Sequence, residues 1–267
     1  MPPHCSDRIN RGWVMKGWQI FVHSVRQVFG NMDGALRVSG VLYLAQIVVA
    51  LMFGGGTMMS SGQMMQGGPG AGFFLGVLIV SLVTVVTGLW IAVSWHRYVL
   101  LGEKPAALPA YRGDRIWAYL LRSLGYGLIL VVVGAVLGTV VGTIFGSLVV
   151  DAPMALGLIL LGFLVYLPVL VVGFRLTSDL PATALGVDRP FFSGWAATKG
   201  QTADLIALAA IVVVAGVGLE LIGYYLFSQV PGVSVIWALG TGWVRMMVGI
   251  SIVTTLYGHY IENRPLI

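Results

Sequence analysis

Six runs of nearly continuous apolar residues, at 35–53, 73–95, 124–150, 155–174, 205–227 and 233–257, alternate with short polar segments along the chain. Each is long enough to cross a hydrocarbon core, which takes about 20 helical residues. The segment 15–32 ahead of them has a different pattern. Trp18, Phe21, Val22, Val25, Phe29 and Met32 recur at intervals of three and four, while Lys16, Gln19, His23, Arg26 and Gln27 take the opposite face. That periodicity predicts an amphipathic helix, one suited to the headgroup plane rather than to spanning. The expected fold is an all-α polytopic membrane helix bundle with six transmembrane helices and an N-terminal interfacial helix, forming a single membrane domain over 15–267. Residues 1–14 lack this pattern and read as a disordered tail or as a start assigned ahead of Met15. They also lack the apolar core and cleavage site of a secretory signal.

Composition agrees with the pattern, and charge adds orientation. The 267 residues are 58% hydrophobic and 9% charged, with a mean hydropathy of +0.92, far from the roughly 25% charged residues of soluble domains. Fourteen of the fifteen Lys and Arg residues flank the ends of the runs on one side, at the N-terminus, after the second and fourth runs, and at the C-terminus. The segments 54–72, 151–154 and 228–232 contain none. The positive-inside rule then puts both termini in the cytoplasm of a bacterial inner membrane. The net charge of +5 reads as attachment to anionic lipid headgroups, through Arg97, Arg112, Arg115, Arg175, Arg189 and Lys199, rather than as nucleic-acid binding. The single cysteine, Cys5, falls on the reducing side, where a disulfide would be unusual.

Punctuation recurs along the chain and suggests a threefold repeat of helical hairpins. Trp18, Trp117 and Trp195 precede the outgoing helices; Trp95, Phe174 and Tyr257 close the returning ones; and Glu103 with Pro105, Asp179 with Pro181, and Glu262 with Pro265 follow. Aromatic belts and helix stops would impose similar residues on any hairpin. The third run carries Gly134, Gly138, Gly142 and Gly146 in register, a bare face of the kind that lets helices approach closely in lipid, within a bundle or between copies. Pro168 predicts a disturbance of the fourth span.

Arg245 is the one cation outside the flanking segments. A guanidinium at mid-span costs at least about 2.5 to 3.5 kcal/mol and calls for a partner. Glu220 lies before the last turn about as far as Arg245 lies after it, so their depths differ by only about 4 to 5 Å. An ion pair between them serves either helix register or solute passage. Met58, Met59, Met64 and Met65, in the second connection, offer thioethers to Cu(I) but no His or Cys to join them. His23, His96 and His259 sit at the ends of spans and read as interfacial groups rather than ligands. No phosphate loop, zinc-protease helix or Gly-x-Ser-x-Gly elbow is present, so neither enzyme activity, metal nor cofactor is expected.

The stretch Phe174-Arg175-Leu176-Thr177-Ser178-Asp179-Leu180-Pro181, with Ser193-Gly194-Trp195-Ala196-Ala197-Thr198-Lys199-Gly200, resembles a connection in bacterial six-helix inner-membrane proteins related to the membrane domain fused to some glycerophosphodiester phosphodiesterases. It departs from that pattern at Asp179 and Asp188. No phosphodiesterase domain follows, so the resemblance implies a fold and a cytoplasmic loop without a catalytic residue. The function expected is that of a non-enzymatic scaffold or accessory protein of a membrane complex, touching lipid and either a membrane-protein partner or a second copy. The alternative is a small-solute or ion transporter using Glu220 and Arg245.

Overall fold

The structure, a computed structural model, describes residues 5–53, 71–104, 106, 108–150 and 153–266. The methionine pairs of the second connection lie outside the described residues. Helix α1 (Cys5–Phe29) leads through a turn at Gly30 and Asn31 into α2 (Met32–Phe53), followed by α3 (Ala71–Leu101) and α4 (Gly113–Val150). The fourth span is composite: α5 (Met154–Leu161), a π-helical turn (Gly162–Tyr166) and α6 (Leu167–Thr177). Two short helices, α7 (Leu180–Leu185) and α8 (Ser193–Ala197), lie in the connection, and α9 (Thr202–Ile222), a second π-turn (Gly223–Phe227) and α10 (Pro231–Tyr260) complete the chain. Six helical segments are long and apolar enough to cross a membrane, and no strand occurs among the described residues.

The helices overrun the expected spans, chiefly at the end that carries both termini, here termed the charged end. With 38 residues, α4 is about 57 Å long at 1.5 Å per residue, well beyond a hydrocarbon core of about 30 Å. Most of the buried apolar side chains lie toward the charged end of the helices: Val38 of α2, Trp95 of α3, Tyr126 of α4, Leu176 of α6, Leu208 of α9 and Leu256 of α10. At the far end Leu51, Leu78, Ile144, Leu226 and Ile236 are exposed. Apolar side chains gain no hydrophobic stabilisation by leaving lipid for one another, so the far ends have little reason to close.

Polar contacts and small residues tie the charged end together. The chain from α1 into α2 runs antiparallel to α10, matching Ser24 to Thr255 (3.0 Å), Gln27 to Ser251 (2.6 Å), Ser39 to Trp243 (2.8 Å) and Tyr43 to the Leu239 carbonyl (2.8 Å). Helix α1 thus lies between α9 and α10, which make few direct contacts with each other. The side of α1 that meets protein carries Gly17, Ile20, Ser24 and Val28, all buried, whereas on the apolar face read from the sequence Trp18 and Phe29 stay exposed and Phe21, Val22 and Val25 are half-buried. Close approach is possible because Gly17 faces α9: a Cβ there would stand 2.8 Å from Ala207 Cβ and 2.9 Å from the Asp204 carbonyl oxygen. The hairpins of the expected repeat pack differently, since α2 lies along α3 whereas α9 and α10 stand apart.

Each π-turn has a local cause. Pro168 removes an N–H and crowds the preceding turn, and the Leu167 N–H reaches back five residues to the Gly162 carbonyl. In the second, the Trp237 indole presses on Gly223 and donates to the Leu219 carbonyl at 3.3 Å.

The close α1 to α9 contact gives a direct expectation. Gly17→Leu should lower stability by about 1 to 3 kcal/mol, the usual cost of overpacking, whereas Gly138→Leu, in open space, should leave the thermal midpoint in detergent unchanged.

Candidate functional site

Asp179, at the junction of α6 and α7, is fully buried. Its Oδ2 accepts hydrogen bonds from Arg122 Nη2 (2.8 Å), Ser193 Oγ (2.7 Å) and the Gly194 N–H (3.1 Å), and the Tyr126 hydroxyl lies 3.0 Å from both carboxylate oxygens. Arg122 also donates to the carbonyls of Arg189 (2.9 Å) and Pro190 (2.7 Å). One carboxylate thereby joins α4, α7 and α8. Gly194 is required at this junction, because a Cβ would stand 2.7 Å from the Arg175 carbonyl oxygen. Helix α7 ends on Gly186 in the left-handed region (φ 83°), with the Val187 N–H bonded to the Ala182 carbonyl at 2.9 Å, a glycine C-cap of the Schellman type.

His96 is also buried rather than interfacial. Its Nδ1 lies 2.8 Å from Thr254 Oγ1 and its Nε2 3.1 Å from the Tyr119 hydroxyl, so both ring nitrogens are satisfied by α10 and α4. His23 lies 2.9 Å from Gln27 and His259 3.1 Å from the Arg264 carbonyl. No group of three or more His, Cys, Asp or Glu suited to a metal occurs among the described residues.

The six residues expected to form a basic surface divide into two groups. Arg97 is turned inward, bound to Glu103 and to the Ala184 carbonyl (2.9 Å). Arg175 is buried, donating to Thr202 Oγ1 at 2.5 Å with its guanidinium 5.0 Å from the Trp195 ring centre. Arg189 is partly buried, with its guanidinium beside Tyr257. Arg112 and Lys199 remain exposed, and Arg115 is half-buried. The positive face is therefore smaller than the sequence suggests, because three of its five arginines are drawn wholly or partly inside. The three punctuating acids each hold an arginine: Glu103 pairs with Arg97 and Arg112, Asp179 with Arg122, and Glu262 with Arg264. The Arg97 guanidinium bonded to Glu103 holds that carboxyl below the usual carboxylate range, against the opposing effect of partial burial.

At mid-span, Arg245 Nη1 donates to Glu220 Oε1 at 2.5 Å and Nη2 to the Gly216 carbonyl at 3.1 Å. The pair is not enclosed, since the two side chains are 40% and 53% exposed. It borders a cleft of about 500 Å³ between α1, α6, α9 and α10, lined by Phe29, Leu170, Phe174, Val212 and Ile252. Apart from the Tyr166 hydroxyl, its side-chain polarity comes from Arg245. On α4, a Cβ at Gly138, Gly142 or Gly146 would meet nothing within 4 Å, and one at Gly134 only Val169 at 3.8 Å.

No protein-family model, curated protein or solved structure matches the chain. The reading of function therefore rests on these three places: the Asp179 junction, the Arg245 cleft and the open glycine face.

Two expectations follow from the charged end. Asp179→Asn should destabilise the fold by about 3 to 5 kcal/mol, because it strips a buried arginine of its counter-charge, while Ser193→Ala should cost only about 1 kcal/mol; thermal unfolding of both variants measures the contrast. Because the Glu103 carboxyl is depressed in the fold, its stabilisation is complete above the ordinary carboxylate pKa and is lost as pH falls through the folded value. The midpoints of wild type and Glu103→Gln, measured across acidic pH, should differ at neutral pH and converge below that value.

Proposed function

We propose that the protein is a non-enzymatic scaffold or accessory protein of a bacterial inner-membrane assembly, with both termini and the charged end in the cytoplasm. The observation that carries this reading is the open face on α4. Gly138, Gly142 and Gly146 meet no neighbouring side chain, and Val136, Val140 and Ile144 beside them are 58%, 47% and 65% exposed. A small-residue face in lipid gains stability when another helix approaches it closely, through dispersion contacts and backbone proximity. The occupant proposed is a transmembrane helix of a second copy or of a partner protein. The exposed Arg112 and Lys199, with the half-buried Arg115, supply a smaller contact with anionic headgroups on the same side as the termini.

Solute or ion transport is the second reading, favoured by the direct contact of Arg245 with Glu220. The predominantly apolar walls beside that pair supply no polar path and weigh toward the scaffold. Both buried polar centres at the charged end, around Asp179 and His96, are satisfied from within the chain, which suits a structural role.

Association through α4 is measurable in bilayers. In a Cys5→Ser background, Gly142→Cys should crosslink between copies if the occupant is a second chain, and Gly142→Leu should weaken association roughly tenfold, the order of about 1.4 kcal/mol, with no change in thermal midpoint. A Gly142→Leu protein that self-associates and retains its co-purifying membrane partners as wild type does would remove the glycine face from the function.

A further inference from the structure

We propose that the cleft beside Arg245 is a binding site for a lipid-soluble quinone, with a ring carbonyl accepting from the guanidinium and the isoprenoid tail lying along α1. The cleft, at about 500 Å³, falls within the roughly 300 to 1,000 Å³ typical of small-molecule sites, which are mostly apolar with a few placed polar groups. Of the five N–H donors of a guanidinium, the Arg245 group uses one on Glu220 and one on the Gly216 carbonyl. Its charge is already balanced by Glu220, so an added anion would meet that carboxylate, whereas a neutral carbonyl needs only a spare donor.

Depth selects among neutral carbonyl compounds. Arg245 stands midway along α10, which runs from Pro231 to Tyr260, about 21 Å from either end at 1.5 Å per residue. Ester carbonyls of glycerolipids are tethered near the headgroups and do not reach it. A quinone, whose ring carries no charged head, does. Aromatic groups frame the cleft, with Phe29 and Tyr166 45% and 52% exposed, and Gly216 and Gly249 leave room, since a Cβ on either would meet nothing within 4 Å. The two π-turns flank the same place, one supplying Tyr166 and the other starting three residues after Glu220; such turns are rare and concentrate at functional sites. This site is independent of the glycine face on α4.

The test is photoaffinity labelling of the full chain in neutral-lipid nanodiscs with an azido-quinone. Label should map to peptides containing Phe29 or Tyr166, and decylubiquinone should compete for it while dioleoylglycerol and oleate do not. Gly249→Leu and, from the opposite wall, Gly216→Leu should each abolish specific labelling with an unchanged thermal midpoint. Arg245→Lys should raise the half-saturating probe concentration roughly tenfold, the order expected for one charge-assisted hydrogen bond. Labelling that persists in whichever filled-cleft variant retains the wild-type midpoint overturns the proposal. So does equal competition by dioleoylglycerol, which marks a cleft filled by ordinary lipid, or competition by oleate, which marks an anion site.

Discussion

Hydrocarbon solvates a leucine as well as another leucine does, so a chain this apolar has no general force drawing its helices together in a membrane. What remains is dispersion where backbones approach closely, and hydrogen bonds between groups that lipid cannot satisfy. The distribution of packing follows that constraint. Buried side chains gather at the charged end, where Ser24, Gln27, Ser39, Thr254 and Thr255 pair across helices. Away from that end the helices present Leu, Ile and Val to their surroundings.

The Asp179 junction extends the same logic to a charge. A buried carboxylate is tolerated when every lone pair is used and a counter-ion is close, and Asp179 has Arg122, Tyr126, Ser193 and the Gly194 amide. These groups come from helices distant in sequence, so the carboxylate specifies where α7 and α8 sit beneath α4. Arg245 and Glu220 are handled differently, paired but exposed at a cleft mouth. A pair so placed retains spare donors, and this separates a group that fixes structure from one available to a ligand.

The membrane spans were legible because about 20 apolar residues in a row leave few alternatives, and the depth match of Glu220 with Arg245 was legible because helical rise converts residue counts into distance. The ends of the helices were not, since leaving the membrane does not end a helix: α3 and α4 continue through residues such as Arg97 and Trp117. The packing side of α1 was hidden because Gly17, Ile20, Ser24 and Val28, which are buried, lie beside the main apolar stripe and mix small, polar and apolar residues. Only Gly17, placed where α9 comes close, hinted at a protein neighbour. His96 looked interfacial by position, and its two partners, Tyr119 and Thr254, come from separate helices that no local pattern connects. Asp179 stood out only as a departure from a familiar motif, and the spacing of Arg122 and Tyr126 by one helical turn was the one signal that could have paired it.

The wedging of α1 between α9 and α10 has a consequence for how the molecule is made. Its partners lie up to 231 residues away along the chain, so α1 leaves the ribosome long before α10 and is among the last to find its place. At about 5 to 20 residues per second, it waits on the order of ten seconds or longer with Ile20, Ser24 and Val28 uncovered by protein. The neighbouring apolar stripe, whose Trp18 and Phe29 stay exposed in the finished fold, would meanwhile hold it at the membrane surface. The stripe read from the sequence and the side that packs are then two faces of one helix, the first useful from the start and the second only once α10 has arrived.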